Sequence, residues 1–129
     1  MNISHLRQRY QKQRAWGLTA SIDLSGCDHL KIQSPRVIRS FVTDLVKSVK
    51  MKKYGPTHLK KFGEGELEGY SAMQFIETSS VVVHLDDKGG DRAFIDLFSC
   101  KFFDPYQAEQ FTKKYFQAKE SKLTILLRK

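Results

Sequence analysis

The chain has 129 residues, one domain's worth and enough to bury a core without disulfides or a structural metal. Hydrophobic residues make up 40% and charged residues 28%, which excludes a disordered chain, and no apolar run approaches the roughly 20 residues needed to cross a bilayer. The formal net charge of +8 admits nucleic acid as a partner, while two cysteines and four scattered histidines leave no disulfide scaffold, zinc site or other metal site to expect.

The N-terminal stretch "MNISHLRQRYQKQRAW" lacks the apolar middle of a secretory signal, so a cytoplasmic protein is expected. Residues 1–15, carrying Arg7, Arg9, Lys12 and Arg14, read as a basic, flexible arm ahead of a single domain over 16–129. Residues 16–25 alternate, with Leu18, Ala20, Ile22 and Leu24 on one side, which predicts a half-buried strand. Ser34 and Pro35 supply an N-cap and a first helical position. Val37, Ile38, Phe41, Val42, Leu45, Val46 and Val49 then predict an amphipathic helix over 35–52, ended by Gly55-Pro56.

A short strand over 57–62 leads into the acidic glycine loop "GEGELEG" (63–69). That loop has the wrong spacing and the wrong charge to cradle phosphate. Strands are predicted over 70–77, 79–85 and 92–100, with Lys88-Gly89-Gly90-Asp91 as a hairpin-type connection between the last two. Asp104 caps a second helix with its apolar face on Ala108, Phe111, Tyr115 and Phe116, and 122–128 closes the chain as a strand. Lys47, Lys50, Lys52 and Lys53 follow the first helix, and Lys113, Lys114 and Lys119 the second, where the helix dipole favours cations. The excess charge therefore reads as solvated surface before it reads as a nucleic-acid footprint.

The order β-α-β-β-β-β-α-β predicts an α+β two-layer sandwich, an antiparallel-rich sheet with two helices on one face. The other face of the sheet needs cover, and a second copy of the chain is the simplest cover.

The segments "LSGCD" (24–28), "GYS" (69–71), "TSSVVVH" (78–84) and "FSCKFFDP" (98–105) resemble, in order and spacing, the prokaryotic S-adenosylmethionine decarboxylases. These are pyruvoyl-dependent, self-cleaving enzymes that make the aminopropyl donor for polyamine (spermidine) synthesis. The resemblance runs from about Trp16 to Arg128. It implies a proenzyme that cuts itself between Thr78 and Ser79, and a homodimer of processed protomers. Ser79 would be the nucleophile and become the covalent pyruvoyl cofactor, which holds the substrate amine as a Schiff base. By the same resemblance His84 is the processing base, Ser71 supports the ester stage, and Cys100 returns a proton to the product. Taken without the resemblance, Ser79 is an ordinary strand-end hydroxyl, His84 a surface histidine and Cys100 a small buried thiol.

Two departures stand out. The family's Thr-aromatic-Pro-Glu run after the histidine is replaced by Leu85-Asp86-Asp87-Lys88, and Thr78 stands where an acidic or basic residue is usual. The first departure keeps open a pyruvoyl-dependent ornithine or arginine decarboxylase, since a carboxylate can hold a terminal ammonium or guanidinium. Phe62, Phe75, Phe94, Glu64, Glu66, Glu68, Asp86 and Asp87 are the available aromatic and acidic groups for a substrate. An unprocessed binding or regulatory relative is the lesser alternative. Ser79 and His84 are five positions apart, so a regular strand puts them on opposite faces. A bulge or break near Ser80 is therefore required to bring them together, and after cleavage Ser79 is a chain end and the constraint relaxes.

Overall fold

The structure is a computed structural model and describes residues 2–129. Six strands form one antiparallel sheet: β1 (Gly17–Ser25), β2 (Lys53–Phe62), β3 (Gly69–Ile76), β4 (Ser79–Asp86), β5 (Arg92–Ser99) and β6 (Glu120–Arg128). Their spatial order is β2-β3-β4-β5-β1-β6. Three helices accompany them: α1 (Ile3–Lys12), α2 (Pro35–Ser48) and α3 (Pro105–Tyr115). The α+β sandwich expected from the element order is the observed architecture, with a sixth strand secured at the C-terminus.

Alternation in each strand decides which side meets the helices. Leu18, Ala20, Ile22 and Leu24 of β1, Val81, Val83 and Leu85 of β4, and Ala93, Ile95 and Leu97 of β5 are buried on one face. The stripe Ile38, Phe41, Val42, Leu45 and Val46 of α2 covers that face, joined by Ala108 and Phe116 from the α3 region. Phe41 and Phe116 meet with ring centroids 4.6 Å apart, locking the two helices together. Ser34 and Asp104 cap their helices as expected, Ser34 accepting from the Val37 amide and Asp104 from those of Tyr106 and Gln107.

The opposite face of the sheet carries exposed Met73, Phe75 and Leu126, with Trp16 stacked on Phe98 at 5.9 Å at its margin. Met73 and Phe75 are neighbours on β3, whereas Leu126 lies on β6 at the far edge of the sheet.

The helices differ from the sequence reading in extent. Residues 1–15 were expected to be a flexible arm, yet Ile3–Lys12 form α1. The helix is docked by Leu6, which is fully buried, and by Tyr10, whose ring meets Phe102 edge-on at 5.2 Å. Met1 lies outside the described residues. The first helix of the core stops at Ser48 rather than at 52 because Lys50 turns left-handed (φ 61°). The Met51 amide then reaches back to the Val46 carbonyl at 3.0 Å and the Lys50 amide to Lys47 at 2.9 Å, a Schellman closure. Arg14 and Gln117 close α1 and α3 in the same way. Gly55-Pro56, read as a helix stop, lies instead within β2, where the register to β3 is irregular between Lys53 and Thr57. An edge strand tolerates proline because its outer amides have no ladder partner to lose.

Candidate active site

The residues singled out by the sequence fall into two clusters, and β4 carries one at each end. At its start, Ser79 is the first residue after the two-residue turn Glu77-Thr78 that joins β3 to β4. Its side chain points to the core face and donates to Ser99 Oγ at 2.8 Å. Ser99 is cross-strand from Ser79 in the register of β4 with β5, and its hydroxyl also accepts from the Lys101 amide at 2.9 Å. Thr78, immediately before, has φ 55°. A β-branched residue in the left-handed region is strained, by about 1–3 kcal/mol.

Cys100 follows Ser99 and opens with Thr78 and Ser79 onto a cleft of about 590 Å³. Lys50, Lys52, Lys53 and Lys101 also line that cleft, against one carboxylate, Glu77. The Tyr10 hydroxyl donates to the Cys100 carbonyl at 3.2 Å, so α1 reaches the site. Burial raises the Tyr10 hydroxyl above its ordinary range, with the neighbouring Cys100 adding to the shift, which keeps it a donor.

At the other end of β4, His84 faces the opposite side of the sheet and pairs across to Ser71 on β3. Ser71 Oγ and His84 Nδ1 are 2.7 Å apart, which leaves Nε2 free for a second partner. The pair borders a separate cleft of about 560 Å³ with Phe62, Phe94, Glu66 and Asp86 on its walls. Gly69 permits this arrangement, since a Cβ there would strike the Leu85 carbonyl of β4.

Of the acidic groups considered for a substrate, two are already committed. Asp86 accepts from Arg92 Nε at 2.8 Å and from the Gly89 amide at 2.7 Å, and Glu68 is paired with Lys88 and with Lys61. Glu66, Phe62 and Phe94 remain on the wall of the cleft beside His84, whereas Phe75 is exposed on the outer sheet face.

The bulge expected near Ser80 is absent. Pairing of β4 with β5 runs unbroken from Ser79↔Ser99 to Asp86↔Arg92, and that with β3 from Ile76↔Ser79 to Ser71↔His84. Four core-facing residues, Ser79, Val81, Val83 and Leu85, hold the strict alternation. Five residues of strand separate Ser79 from His84 by roughly 17 Å along the chain. Within one uncut chain the structure unites Ser79 with Cys100 and Ser71 with His84, and keeps the two pairs apart.

Ser99 and Tyr10 are the site residues that sequence reading missed. Ser99 carried a faint signal: alternation places it on the apolar row Ala93, Ile95, Leu97, where a hydroxyl needs a partner.

The second cysteine is distinct in chemistry. Cys27 is buried, and desolvation, with Asp91 nearby, pushes its thiol up to about 11. At pH 8 only about 0.1% of such a thiol is thiolate, the reactive form. Alkylation at pH 8 is therefore expected to label Cys100 and spare Cys27, with Cys27 becoming reactive as pH rises toward 11 or on unfolding. Peptide mapping after iodoacetamide treatment checks this, and equal labelling of the two cysteines would contradict it.

A model of the S-adenosylmethionine decarboxylase family matches residues 18–129, so the match begins within β1 and α1 lies outside it. A search of curated proteins finds no match. Among solved structures, the fold is similar to that of the adenosylmethionine decarboxylase of Aquifex aeolicus VF5. The TM-score is 0.73 at 21% sequence identity, over 88% of this chain and 91% of that one. With the family model matching residues 18–129, most of the chain, the protein belongs to the S-adenosylmethionine decarboxylase family.

Proposed function

We propose that this chain cuts itself between Thr78 and Ser79, carries a pyruvoyl group at position 79, and decarboxylates S-adenosylmethionine as a homodimer. The observation that carries the reading is Ser79 itself, held behind a strained Thr78 and opening with Cys100 onto one cleft. In the cut, Ser79 Oγ bonds to the Thr78 carbonyl carbon, the Thr78–Ser79 C–N bond breaks, and the hydroxyl proton ends on the freed nitrogen. Strain at Thr78 raises the energy of the peptide and is released as the bond opens. A base then removes the Ser79 Cα proton, the Cβ–Oγ bond breaks, and Thr78 leaves as a carboxylate. Hydrolysis of the residual enamine releases ammonia and leaves the keto group.

The residues around position 79 fit that group. Ser79, from which the pyruvoyl group would form, is the first residue of β4, so after the cut it is a chain end beside the cleft and not an interior link. A pyruvoyl group supplies the electron sink that decarboxylation of an α-amino acid requires. Cys100, in the same cleft, is the thiol placed to donate a proton to the product carbon. Tyr10 anchors the Cys100 backbone, limiting how far that thiol can wander.

His84 is the base of the reading, with Ser71 fixing the ring through Nδ1. Because His84 and Ser79 lie at opposite ends and on opposite faces of β4, the base for one protomer comes from a second. The exposed apolar side of the sheet, with Met73, Phe75 and Leu126, gives the second copy a surface to cover. No helix among the described residues is long and apolar enough to cross a membrane.

The lysines around Ser79 bear on the substrate. Lys50, Lys52, Lys53 and Lys101 can attract the α-carboxylate that all three substrates share, and they repel the sulfonium of S-adenosylmethionine as they do the terminal cation of ornithine or arginine, so the preference for S-adenosylmethionine rests on the family match. Release of carbon dioxide from carboxyl-labelled S-adenosylmethionine, ornithine and arginine, assayed in parallel, tests the reading. Turnover of S-adenosylmethionine is expected. Turnover of a basic amino acid alone would replace the substrate, and turnover of none by a fully cut protein would remove the enzymatic assignment.

A further inference from the structure

We infer that Ser99 sets the Ser79 hydroxyl for attack on its own backbone, a role that rests on the self-cleavage proposed above. Ser99 is fully buried at the end of the core-facing row of β5, where its neighbours in the alternation are Ala93, Ile95 and Leu97. A hydroxyl in such a row is costly unless it is bonded. Both of its bonds point at the reaction centre. Ser79 Oγ donates to it at 2.8 Å, and the Lys101 amide donates to it at 2.9 Å.

The second bond matters as much as the first. A backbone amide neither titrates nor rotates, so it fixes the Ser99 oxygen as a stationary acceptor. That acceptor in turn selects one rotamer for Ser79 and draws the hydroxyl proton away from the lone pairs that attack. The bonds made and broken in the cut are those already described, and Ser99 begins and ends as a neutral hydroxyl. The arrangement also ties the two ends of the chemistry together. Cys100 lies between Ser99 and Lys101, so the clasp that holds Ser79 holds the turn carrying the thiol.

The test follows cleavage over time in a cell-free translation reaction, by intact mass, for wild type, Ser99→Ala, Ser99→Cys and Ser99→Thr. Ser99→Cys is close in shape to serine and a weak acceptor, so it separates loss of the bond from loss of the fold. Circular dichroism melting reports folding of each variant directly. Ser99→Ala and Ser99→Cys are expected to cut about 100-fold more slowly than wild type, the scale of a misplaced reacting atom. Ser99→Thr, which keeps the hydroxyl, is expected to stay close to wild type.

Hydroxylamine, which cleaves esters and spares amides, locates the defect. The slow variants are expected to resist it, because their block precedes the ester. A wild type that cuts beside a folded Ser99→Cys that cuts equally fast overturns the role of Ser99 alone. So does a slow variant that accumulates hydroxylamine-sensitive ester. An uncut wild type overturns the self-cleavage reading, and this inference with it.

Discussion

Intact mass spectrometry of the purified wild-type chain is expected to show two polypeptides, residues 1–78 and 79–129, while Ser79→Ala remains whole. The second fragment should be one ammonia lighter than simple hydrolysis would leave it, which distinguishes a keto end from a nicked serine. Removing the Oγ removes the only atom that can form the ester at this link, so the loss of cleavage is on the order of 10⁶-fold, as for other deleted nucleophiles. The backbone contributes separately. Thr78 sits at φ 55°, and relaxing it with Thr78→Gly is expected to slow the cut by up to about tenfold, since about 1.4 kcal/mol of strain corresponds to that factor. A wild type that stays at one mass through long incubation would remove the pyruvoyl group and everything built on it.

How much of this was legible in the sequence depends on the range of the interaction concerned. The β1 alternation and the α2 stripe are local patterns, and each appears where the residues place it. Helix ends were less readable because the three left-handed closing residues are Arg14, Lys50 and Gln117, none of them the glycine that usually marks such a turn. The N-terminal helix escaped because its surface is charged and its docking rests on few residues, chiefly Leu6 and Tyr10. Gly55-Pro56 misled because a proline stop and a proline in an edge strand look the same in one dimension.

In the site, Ser71, Ser79, His84 and Cys100 were named through resemblance, and residue type alone would not have raised them above ordinary surface or core groups. The parity of Ser79 and His84 was readable and correct. The bulge invoked to defeat that parity is absent, since β4 keeps its ladder on both sides. Ser99 and Tyr10 required tertiary knowledge, one the register of β4 with β5, the other the docking of a helix 90 residues away in sequence.

Co-expression of Ser79→Ala with His84→Ala is expected to restore cutting that neither variant shows alone. In a mixed dimer the His84→Ala chain supplies an intact Ser79, and the Ser79→Ala chain supplies an intact His84. One of the two sites is then complete. With random pairing, half the dimers are mixed, so about half of the His84→Ala chains should be cut, and none of the Ser79→Ala chains. Because each chain carries its own mass difference, the spectrum identifies which one was cleaved.

The physical basis is the unbroken β4. To bring His84 to Ser79 within a protomer, the strand would have to give up ladder bonds to β3 and β5 and turn Val81, Val83 and Leu85 out of the core. Exposing three such side chains costs about 1.5–3 kcal/mol each, comparable in sum to the whole stability of a small domain. A second copy avoids that cost, because its His84 and Ser71 come as a preformed pair at 2.7 Å and need no rearrangement of the first chain's sheet. Failure of the mixture to cut, with the two variants shown to co-purify, would place both groups in one protomer and require β4 to open during processing.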